Sequence, residues 1–403
     1  MLDGGRAGPL AGTVVVDLTR VLAGPFCTMQ LADLGARVLK IERRDGGDDA
    51  RRIGPFVEGR SAYFLSLNRG KESLALDLQG PPYESEEQAA RATRDRALFE
   101  RILARADVLV ENFRPGAMQR LGYGWDSLHA RYPRLIYAAI SGFGQTGPLA
   151  TRPAYDLVAQ AMGGIMSITG QPDAAPTRVG TSIGDIAAGL FGALGIASAL
   201  HHRDRTGEAI FVDVAMLDCQ VAILENAIAR FAATGEIPRP LGSRHPSITP
   251  FEAYPCSDGH IVVAAGNDAL FRRLAIAIEL PTLLDDARFA TNESRCLHVD
   301  ALRVALSARL RARPTAEWIA TLEAAGVPCG PLQNVAEVLA HPQVRARNMV
   351  VGVDDPALGA AFPVAGNPIK SPSFDDPTTR PAAPALDADR ERISNWLEQE
   401  EHR

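Results

Sequence analysis

Short runs of apolar, β-branched residues alternate with segments of helical periodicity through the first half of the chain. The pattern predicts strands at residues 13–18, 37–42, 74–78, 107–112, 135–140 and 209–214. Helical patterns lie between the strands, for example up to residue 34 and at residues 95–105. Buried strands separated by helices are typical of a parallel sheet that is covered on both faces. The pattern therefore predicts the α/β fold class, with a large Rossmann-like domain.

The second half of the chain changes its pattern twice. A long helix rich in small residues is predicted at 184–202, and a linker containing two prolines follows at 235–245. From residue 250 a strand hairpin and several helices indicate a smaller α+β domain, and a proline-rich tail ends in a helix at 386–401. The predicted domains are a large one at 1–225, a linker with the small domain at 226–340, and a C-terminal segment returning to the large domain at 341–403.

Composition and charge narrow the class of protein. With 46% hydrophobic residues among 403, the chain can fill the cores of two or three domains. A net charge of −6 is too balanced to indicate nucleic-acid binding. The five cysteines form no CxxC pair and no spaced Cys/His cluster, so no metal site is predicted. Uninterrupted apolar runs fall short of the ~18 residues of a membrane span, and the first residues lack a secretory pattern, so we expect a cytoplasmic protein.

Charged residues are concentrated after the second predicted strand. The cations of this segment are Lys40, Arg43, Arg44, Arg51, Arg52, Arg60, Arg69 and Lys71. Because acidic residues are interspersed, a solvated face of mixed charge is the default interpretation. The alternative is a phosphate site, since arginines just beyond strand ends can hold phosphate with paired hydrogen bonds. A further stretch at 80–93, acidic at its start, is predicted to be an exposed loop that leads into a helix.

Two local signals bear on the chemistry. The turn after the first strand contains one glycine, Gly24, where a dinucleotide fingerprint needs three, which argues against nicotinamide binding. Asp185 stands at the start of the predicted small-residue helix. Aspartate there can stabilise the helix as an N-cap, or it can act as a nucleophile close to backbone N–H groups. The local sequence leaves both roles open.

Six ordered motifs give the chain a family resemblance. They are DLTRVLAGPFCTMQLADLGARVLKIER, ADVLVENFRPGAMQRLGYGW, SGFGQTGP, YDLVAQAMGGIMSITG, IGD and TGEAIFVDVAMLD, between residues 10 and 225. In order and spacing they resemble the class III CoA-transferases of the CaiB/BaiF type, whose relatives include formyl-CoA transferase, carnitine CoA-transferase and the α-methylacyl-CoA racemases. A weaker continuation of the resemblance lies in GVPCGPLQNVAEVLAHPQVRARNMV.

The resemblance implies an enzyme that moves CoA from an acyl-CoA to a free carboxylic acid. It places the family's nucleophilic aspartate on Asp185, which would form a mixed anhydride and then an aspartyl-CoA thioester. The implied CoA contacts are Arg20, Val21, Leu22 and Ala23 beside the thioester, Arg43, Asn68, Arg69, Gly70 and Lys71 at the adenosine phosphate, and Asn112, Phe113, Arg114 and Arg120 at the pantetheine and diphosphate. It also implies a homodimer of interlocked ring-shaped protomers, with no cofactor beyond CoA as a substrate.

Two differences from the related enzymes narrow the range of substrates and reactions that we expect. Leu22 stands where formyl-CoA transferase has glutamine, which argues against oxalate chemistry of that kind. The triplet Ala154-Tyr155-Asp156 stands where the racemases carry Gly-His-Asp. The missing histidine argues against racemisation, because removing a proton beside a thioester needs a positioned acid–base pair.

The acceptor acid is assigned to the linker. The segment GSRHPSITPFEAYPCSDGHIVVAAGN resembles transferases that use succinyl-CoA and small dicarboxylic acids. Arg244 or His245 is therefore a candidate for binding the distal carboxylate of the acceptor, and a charged linker without such a role is the alternative. Three other functions stay open, namely an acyl-CoA racemase or epimerase, a nicotinamide-dependent dehydrogenase and a CoA-binding protein without activity.

Overall fold

The computed structural model describes residues 7–401, which form two compact units. The first unit combines the chain up to Met166, Arg178–Gly235 and the chain from Pro342 onward. The second unit combines Ser167–Thr177 with Glu236–His341. The second unit thus contains a short segment from before residue 178 in addition to the region where the sequence predicts the small domain.

A six-stranded parallel sheet forms the centre of the first unit. The first eight strands in chain order are β1 (Val14–Asp17), β2 (Arg37–Glu42), β3 (Phe56–Val57), β4 (Arg60–Ser61), β5 (Glu72–Ala75), β6 (Val108–Glu111), β7 (Ile136–Ser141) and β8 (Phe211–Ala215). Strands β3 and β4 form a separate hairpin, and the others lie in the order β5-β2-β1-β6-β7-β8. Every neighbouring pair in the large sheet is parallel, which confirms the predicted α/β class.

Helices connect these strands. They are α1 (Ala23–Asp33), α2 (Ala62–Asn68), α3 (Glu86–Leu103), α4 (Ala117–Leu121), α5 (Trp125–Arg131), α6 (Asp156–Met162), α7 (Ile165–Ile168), α8 (Ile183–Thr206), α9 (Met216–Ala222) and α10 (Asn226–Thr234). Helix α3 begins within the stretch predicted as a loop, because the Ser85 hydroxyl accepts a hydrogen bond from Gln88 N and caps the helix there. The boundary between the two units falls within α7.

The second unit is a small α+β domain. Its elements are β9 (Phe251–Pro255), β10 (His260–Ala264), α11 (Asp268–Ala277), α12 (Asn292–Leu297), α13 (Val299–Leu310), α14 (Thr315–Ala324), β11 (Cys329–Pro331) and α15 (Val335–Ala340), with short 3-10 helices at Pro281–Leu284 and Ala287–Phe289. The predicted hairpin is present as β9 and β10, and β11 extends it to three antiparallel strands. Apolar side chains of α11, α13 and α14 fill its core around Trp318.

The C-terminal segment ends in the predicted helix, and before it lie elements that the sequence analysis did not predict. It contains α16 (Pro342–Ala346), β12 (Val350–Asp354), β13 (Phe362–Ala365), β14 (Thr379–Pro381) and α17 (Arg390–Glu401), with a 3-10 helix at Pro356–Leu358. The three strands form a small mixed sheet in the first unit. Their short length and frequent prolines hide the alternation by which strands are recognised.

Two apolar cores cover the two faces of the large sheet. On one face α1, α8 and α9 pack around Val15, Cys27 and Ile196. On the other face α3, α5 and the C-terminal α17 pack around Leu39, Phe99 and Leu397. The final helix therefore closes the core of the first unit.

Glycines let α8 approach α1 closely. A Cβ atom at Gly189 would lie 2.8 Å from the carbonyl oxygen of Ala23, and one at Gly192 would lie 3.2 Å from the Cys27 Sγ. Larger side chains would force the two helices apart. This packing brings the first turn of α8, which carries Asp185, against the first turn of α1.

Helix α8 also bears on the expectation about membranes. Among the described residues it is the one helix long and apolar enough to span a membrane by length and composition. Buried core helices meet the same criteria, and α8 packs on the sheet with Ala188, Ile196 and Ala199 fully buried. The sequence analysis places the same stretch in a buried helix.

Candidate active site

A cavity of about 230 Å³ lies at the carboxyl ends of the strands in the first unit. The loops after β1, β6 and β7 line it, and so does Asp185 in the first turn of α8. The strand order reverses between β1 and β6, and ligands of open α/β sheets bind beside such a reversal because the two following loops diverge there. The cavity therefore lies where the fold itself provides an opening.

The loop between β1 and α1 forms one side of the cavity. The Asn112 side chain accepts from Arg20 N at 2.9 Å and donates to Arg20 O at 2.8 Å, so it ties this loop to the end of β6. Val21 has a φ of 68°, which a β-branched residue adopts only when its surroundings enforce it. Asp48 accepts the Val21 N–H at 3.0 Å and helps to hold that conformation.

Two buried lysine–aspartate pairs lie beside this loop. Lys40 Nζ lies 2.9 Å from the Asp48 carboxylate and donates to Thr19 O at 2.8 Å, while Lys71 Nζ lies 2.9 Å from the Asp17 carboxylate. Both lysine side chains are fully buried. The default interpretation of these two lysines as part of a solvated face is therefore wrong. Asp17 and Asp48 lie close enough to neutralise them within the core.

Asp185 lies at the N-terminal end of α8 and faces the cavity. Burial raises the pKa of its carboxyl group to about 7, and the neighbouring Asp156 carboxylate adds to this rise. The Ala23 N–H, at the start of α1, donates to the carboxylate and partly offsets the effect. A carboxylate with such a pKa is a stronger base than an ordinary aspartate, and perturbed groups of this kind are concentrated at functional sites.

Asp156 holds the helix start that carries Asp185. Its Oδ1 accepts the Gly184 N–H at 2.8 Å, and its Oδ2 accepts from Gln160 Nε2 at 2.8 Å. Asp156 is buried, whereas the guanidinium of Arg178 lies 3.7 Å away at the surface. Asp156 therefore supplies the cap to α8 that the sequence analysis considered for Asp185, and it leaves Asp185 turned to the cavity.

Arginines surround the opening of the cavity. The Asp49 carboxylate lies 2.5 Å from Arg43, 3.4 Å from Arg52 and 3.5 Å from Arg20. One carboxylate among three guanidinium groups leaves a local excess of positive charge, and all of these side chains are exposed. Arg20 also lies over the Phe113 ring, 5.7 Å from its centroid. Such a group of arginines suits a phosphate-bearing ligand.

The structure brings together many of the predicted site residues and separates others. Lining the cavity with Asp185 are Arg20, Val21, Leu22, Ala23, Asn112, Phe113 and Arg114. Arg43 reaches its edge through Asp49. Arg120 is exposed on α4, outside the lining residues.

The turn at residues 68–71 has its side chains engaged inside the protein. Lys71 Nζ donates to Asn68 Oδ1 at 2.9 Å, and Arg69 pairs with Asp33 at 2.7 Å. The remaining residue, Gly70, is exposed and has a φ of 72°. Contact of this turn with CoA stays a prediction, and its exposed part is the backbone at Gly70.

The two acceptor candidates belong to the second unit. Arg244 lines a separate cavity of about 1010 Å³ there, together with Arg239 and Arg303. The His245 ring centroid lies 5.4 Å from that of Phe251 with the two rings tilted by 57°, and the His245 Nδ1 accepts from Ser247 N at 3.1 Å. The role of both residues in binding an acceptor stays a prediction.

Sequence reasoning missed several residues of the cavity. Arg152 and Tyr155 line it from the segment after β7, and Asp49 lines it from the loop after β2. Arg152 stands in no strand or helix, so periodicity gives no signal for it. Its place in the sequence could have indicated a site residue, because Arg152 closely follows the SGFGQTGP motif and the carboxyl end of a predicted strand.

Comparison with known proteins decides the family. The sequence profile described as CoA-transferase family III matches residues 10–390. The chain belongs to this family. A family III relative from Acetobacter aceti, named acetyl-CoA:oxalate CoA-transferase, is 48% identical over 94% of this chain and 93% of its own length. Another from Haloarcula hispanica, named succinyl-CoA:mesaconate CoA-transferase, is 39% identical over 96% of both chains.

Solved structures agree with this assignment. The crystal structure of a CaiB/BaiF family protein from Brucella suis superposes with a TM-score of 0.83. It is 39% identical in sequence, and the match covers 97% of this chain and all of the other. The chain is therefore a family III CoA-transferase with the α/β fold of the CaiB/BaiF proteins, and its family resemblance in the sequence is confirmed.

Proposed function

We propose that the protein transfers CoA from an acyl-CoA, such as succinyl-CoA, to a small dicarboxylic acid, with Asp185 as the nucleophile. The observation that carries this proposal is the Asp185 carboxylate, which faces a cavity at the topological switch point and has a pKa of about 7. Both named relatives support the acceptor class, since oxalate and mesaconate are dicarboxylates. Oxalate is the acid that the Leu22 argument disfavours, so it belongs in the test beside longer diacids.

The proposed reaction proceeds through two covalent intermediates. The Asp185 carboxylate attacks the thioester carbon, the C–S bond breaks, and a mixed anhydride and CoA thiolate form. The thiolate then attacks the Asp185 carbonyl carbon, which releases the donor acid and leaves an aspartyl-CoA thioester. The acceptor carboxylate then attacks the carbonyl carbon of this thioester, displaces CoA thiolate and forms a second mixed anhydride. The thiolate finally attacks the acceptor's carbonyl carbon in that anhydride, which gives the new acyl-CoA and frees the Asp185 carboxylate. Covalent intermediates keep the free energy of the thioester from being lost to water.

The surroundings of Asp185 suit this role. Its raised pKa makes the carboxylate more basic and more nucleophilic than an exposed aspartate. Attack spreads its charge over the thioester oxygen and sulfur, so the unfavourable interaction with Asp156 decreases along the reaction. The Ala23 N–H holds one carboxylate oxygen and leaves the other for attack.

The CoA moiety is assigned to the wall that contains the β1 and β6 loops. Arg20, Arg43 and Arg52 provide positive charge at the cavity edge for its phosphates. Phe113 and Arg114 follow β6 and line the path between that edge and Asp185. The proposed mechanism uses CoA as a substrate and involves no further cofactor.

Two further expectations of the sequence analysis, one from the apolar pattern and one from the family resemblance, are retained as proposals. We place the enzyme in the cytoplasm. We also propose a homodimer, which is supported by exposed apolar side chains on successive helices of the first unit, including Leu194 on α8 and Phe231 on α10.

Mass spectrometry of CoA esters tests the proposed function. Purified protein is mixed with succinyl-CoA or acetyl-CoA and a pool of carboxylic acids that includes oxalate, mesaconate and glutarate. We expect a new acyl-CoA with the wild type and none with Asp185→Asn. The matched control is Asp126→Asn, an exposed aspartate in the first turn of α5, which should transfer CoA normally.

Three results would contradict the proposal. They are new esters formed equally by Asp185→Asn, the absence of any new ester with either donor, and deuterium uptake at the α-carbon of the donor without transfer. The last result would show removal of the α-proton, the step on which a racemase depends.

A further inference from the structure

The cavity has two walls that meet at Asp185. One wall comes from the loops after β1 and β6 and contains the residues proposed to hold CoA. The other comes from the segment after β7, at residues 150–155. Asp185 is tied to the first wall by the Ala23 N–H, and the adjacent Gly184 is tied to the second by Asp156. The CoA moiety and the acid can therefore approach the same carboxylate from different sides.

Arg152 is the cation of the second wall. Its side chain is exposed and lies over the Phe143 ring, 6.0 Å from the ring centroid. Among residues 7–401 no carboxylate lies within salt-bridge distance of it, whereas Arg20 on the first wall is paired with Asp49. The second wall thus presents a guanidinium whose hydrogen-bonding fork is available to an anion.

A diacid acceptor needs such a partner. The cavity already contains the carboxylates of Asp49 and Asp185, and Asp156 lies beside them. In the aspartyl-CoA thioester Asp185 carries no charge, and three arginines surround Asp49, so Asp156 is the carboxylate of this group that repels an acid with two negative charges, and a cation facing the acid offsets that repulsion. A guanidinium can hold a carboxylate through two parallel hydrogen bonds, which fixes its position as well as its charge.

We propose that Arg152 binds the carboxylate of the acceptor that does not react, and so selects dicarboxylic over monocarboxylic acids. This inference rests on the proposed function. The reacting carboxylate must keep an oxygen free to attack the aspartyl-CoA thioester, and a paired hydrogen bond to guanidinium would engage both of its oxygens. Arg114 is the other arginine of the cavity without a salt bridge to any residue in the range 7–401, but it follows Phe113 on the wall assigned to CoA.

Steady-state kinetics with matched acceptors test the role of Arg152. Glutarate and butyrate are compared as acceptors for the wild type, Arg152→Gln and Arg152→Lys, with acetyl-CoA as the donor because its acyl group has no second carboxylate. Loss of a charge-assisted hydrogen bond is expected to raise KM for glutarate about 10- to 100-fold in Arg152→Gln. The KM for butyrate and that for acetyl-CoA should stay within about 2-fold, because neither has a second carboxylate for Arg152 to bind.

The Arg152→Lys variant and one additional control complete the design. Arg152→Lys keeps the charge without the fork, so it should recover part of the glutarate affinity. Arg94→Gln removes an exposed arginine from α3 and should leave all constants unchanged. Thermal unfolding of each variant separates loss of binding from loss of fold.

The outcomes distinguish this inference from the proposed function. If Arg152→Gln raises the KM for glutarate and that for butyrate equally, or raises the KM for the donor, Arg152 does not bind the distal carboxylate and the inference is wrong. If the wild type transfers CoA and Arg152→Gln keeps its preference for glutarate, the inference fails while the proposed function stands. If the wild type transfers no CoA, calorimetric titration with glutarate still tests the role of Arg152. Equal affinities of the wild type and Arg152→Gln for glutarate would overturn the inference.

Discussion

A single carboxylate, Asp185, combines an unfavourable environment with an accessible position. Burial and the nearby Asp156 both disfavour its charge, and one backbone N–H only partly compensates. Such an arrangement lowers the stability of the folded protein and raises the reactivity of the side chain, a balance that is common at active sites. Local sequence could not distinguish this role from capping, because the capping partner of α8 is Asp156, 29 positions earlier in the chain.

The stability of Asp185→Asn should depend on pH in a defined direction. The pKa is raised from 3.8 to about 7, so the folded wild type binds the Asp185 proton more tightly than the unfolded chain does. Wild-type stability therefore falls as pH rises from about 4 to about 7, and the variant lacks this loss. Denaturant titrations should show a variant more stable by about 2–4 kcal/mol above pH 7 and near equality below pH 4. A difference independent of pH would contradict the raised pKa.

The pH dependence of the first half-reaction should move when Asp156 is neutralised. Formation of the covalent intermediate needs ionised Asp185, so the wild-type rate should rise as pH passes through about 7. Asp156→Asn removes the second cause of the raised pKa and keeps an acceptor for the Gly184 N–H. The rise should then occur at lower pH, and the rate well above pH 7 should be lower than in the wild type, because a less basic carboxylate is a weaker nucleophile. Stopped-flow measurement without acceptor gives this profile, and an unmoved profile would show that Asp156 does not act on Asp185.

At the scale of elements, the β1–α1 loop is held by polar side chains that lie in, or directly after, other strands. Lys40 lies in β2, Asp48 follows β2 and Asn112 follows β6, and together they fix Thr19 O, Arg20 N and Val21 N. The loop in turn places the Ala23 N–H against Asp185. Its unusual backbone at Val21 thus results from contacts that are distant in sequence.

Removing Lys40 should destabilise the fold strongly. Lys40→Met leaves the buried Asp48 without its cation and Thr19 O without its donor. We expect a loss of about 3–5 kcal/mol in the free energy of unfolding. Lys370→Met is the matched control, since Lys370 pairs with Asp376 in a more exposed position, and it should cost distinctly less. Equal losses in chemical denaturation would mean that burial of the Lys40–Asp48 pair has no special effect.

The sequence predicted the positions of helices and strands better than it predicted the environments of single side chains. The strand at Arg37–Glu42 has the predicted bounds because its β-branched and apolar pattern is local information. The burial of Lys40 within that strand could not be predicted, since it depends on Asp48 after the strand and on the loop after β1. The pairing of β12 with both β13 and β14 was missed for a similar reason, as each of these strands is short and gains its stability from non-local contacts.

At the scale of the whole molecule, the exposed faces of α8 to α10 bear on assembly. Leu194 is 62% exposed and Phe231 is 52% exposed, and Leu190 and Val221 are also exposed on the same group of helices. Single exposed apolar residues are ordinary, but several on neighbouring helices favour a covered face. The sequence resemblance, and not periodicity, is what suggested that the partner is a second copy.

Light scattering should therefore give the mass of a dimer for the wild type. Leu194→Glu places a charge on the proposed face and should shift the protein toward monomer and lower its thermal transition. Val304→Glu, at an exposed apolar position on α13 of the second unit, serves as the control and should leave the mass unchanged. A monomeric wild type would contradict the proposed homodimer.

Isotope transfer to Asp185 is the most direct test of the central claim that this residue carries the reaction. In the proposed mechanism an oxygen of the acceptor carboxylate bridges the second anhydride and remains on Asp185 when the product leaves. Single-turnover reaction with ¹⁸O-labelled acceptor, followed by peptide mass spectrometry, should therefore find the label in the peptide that contains Asp185. Formation of the new acyl-CoA without label in that peptide would contradict covalent catalysis by Asp185.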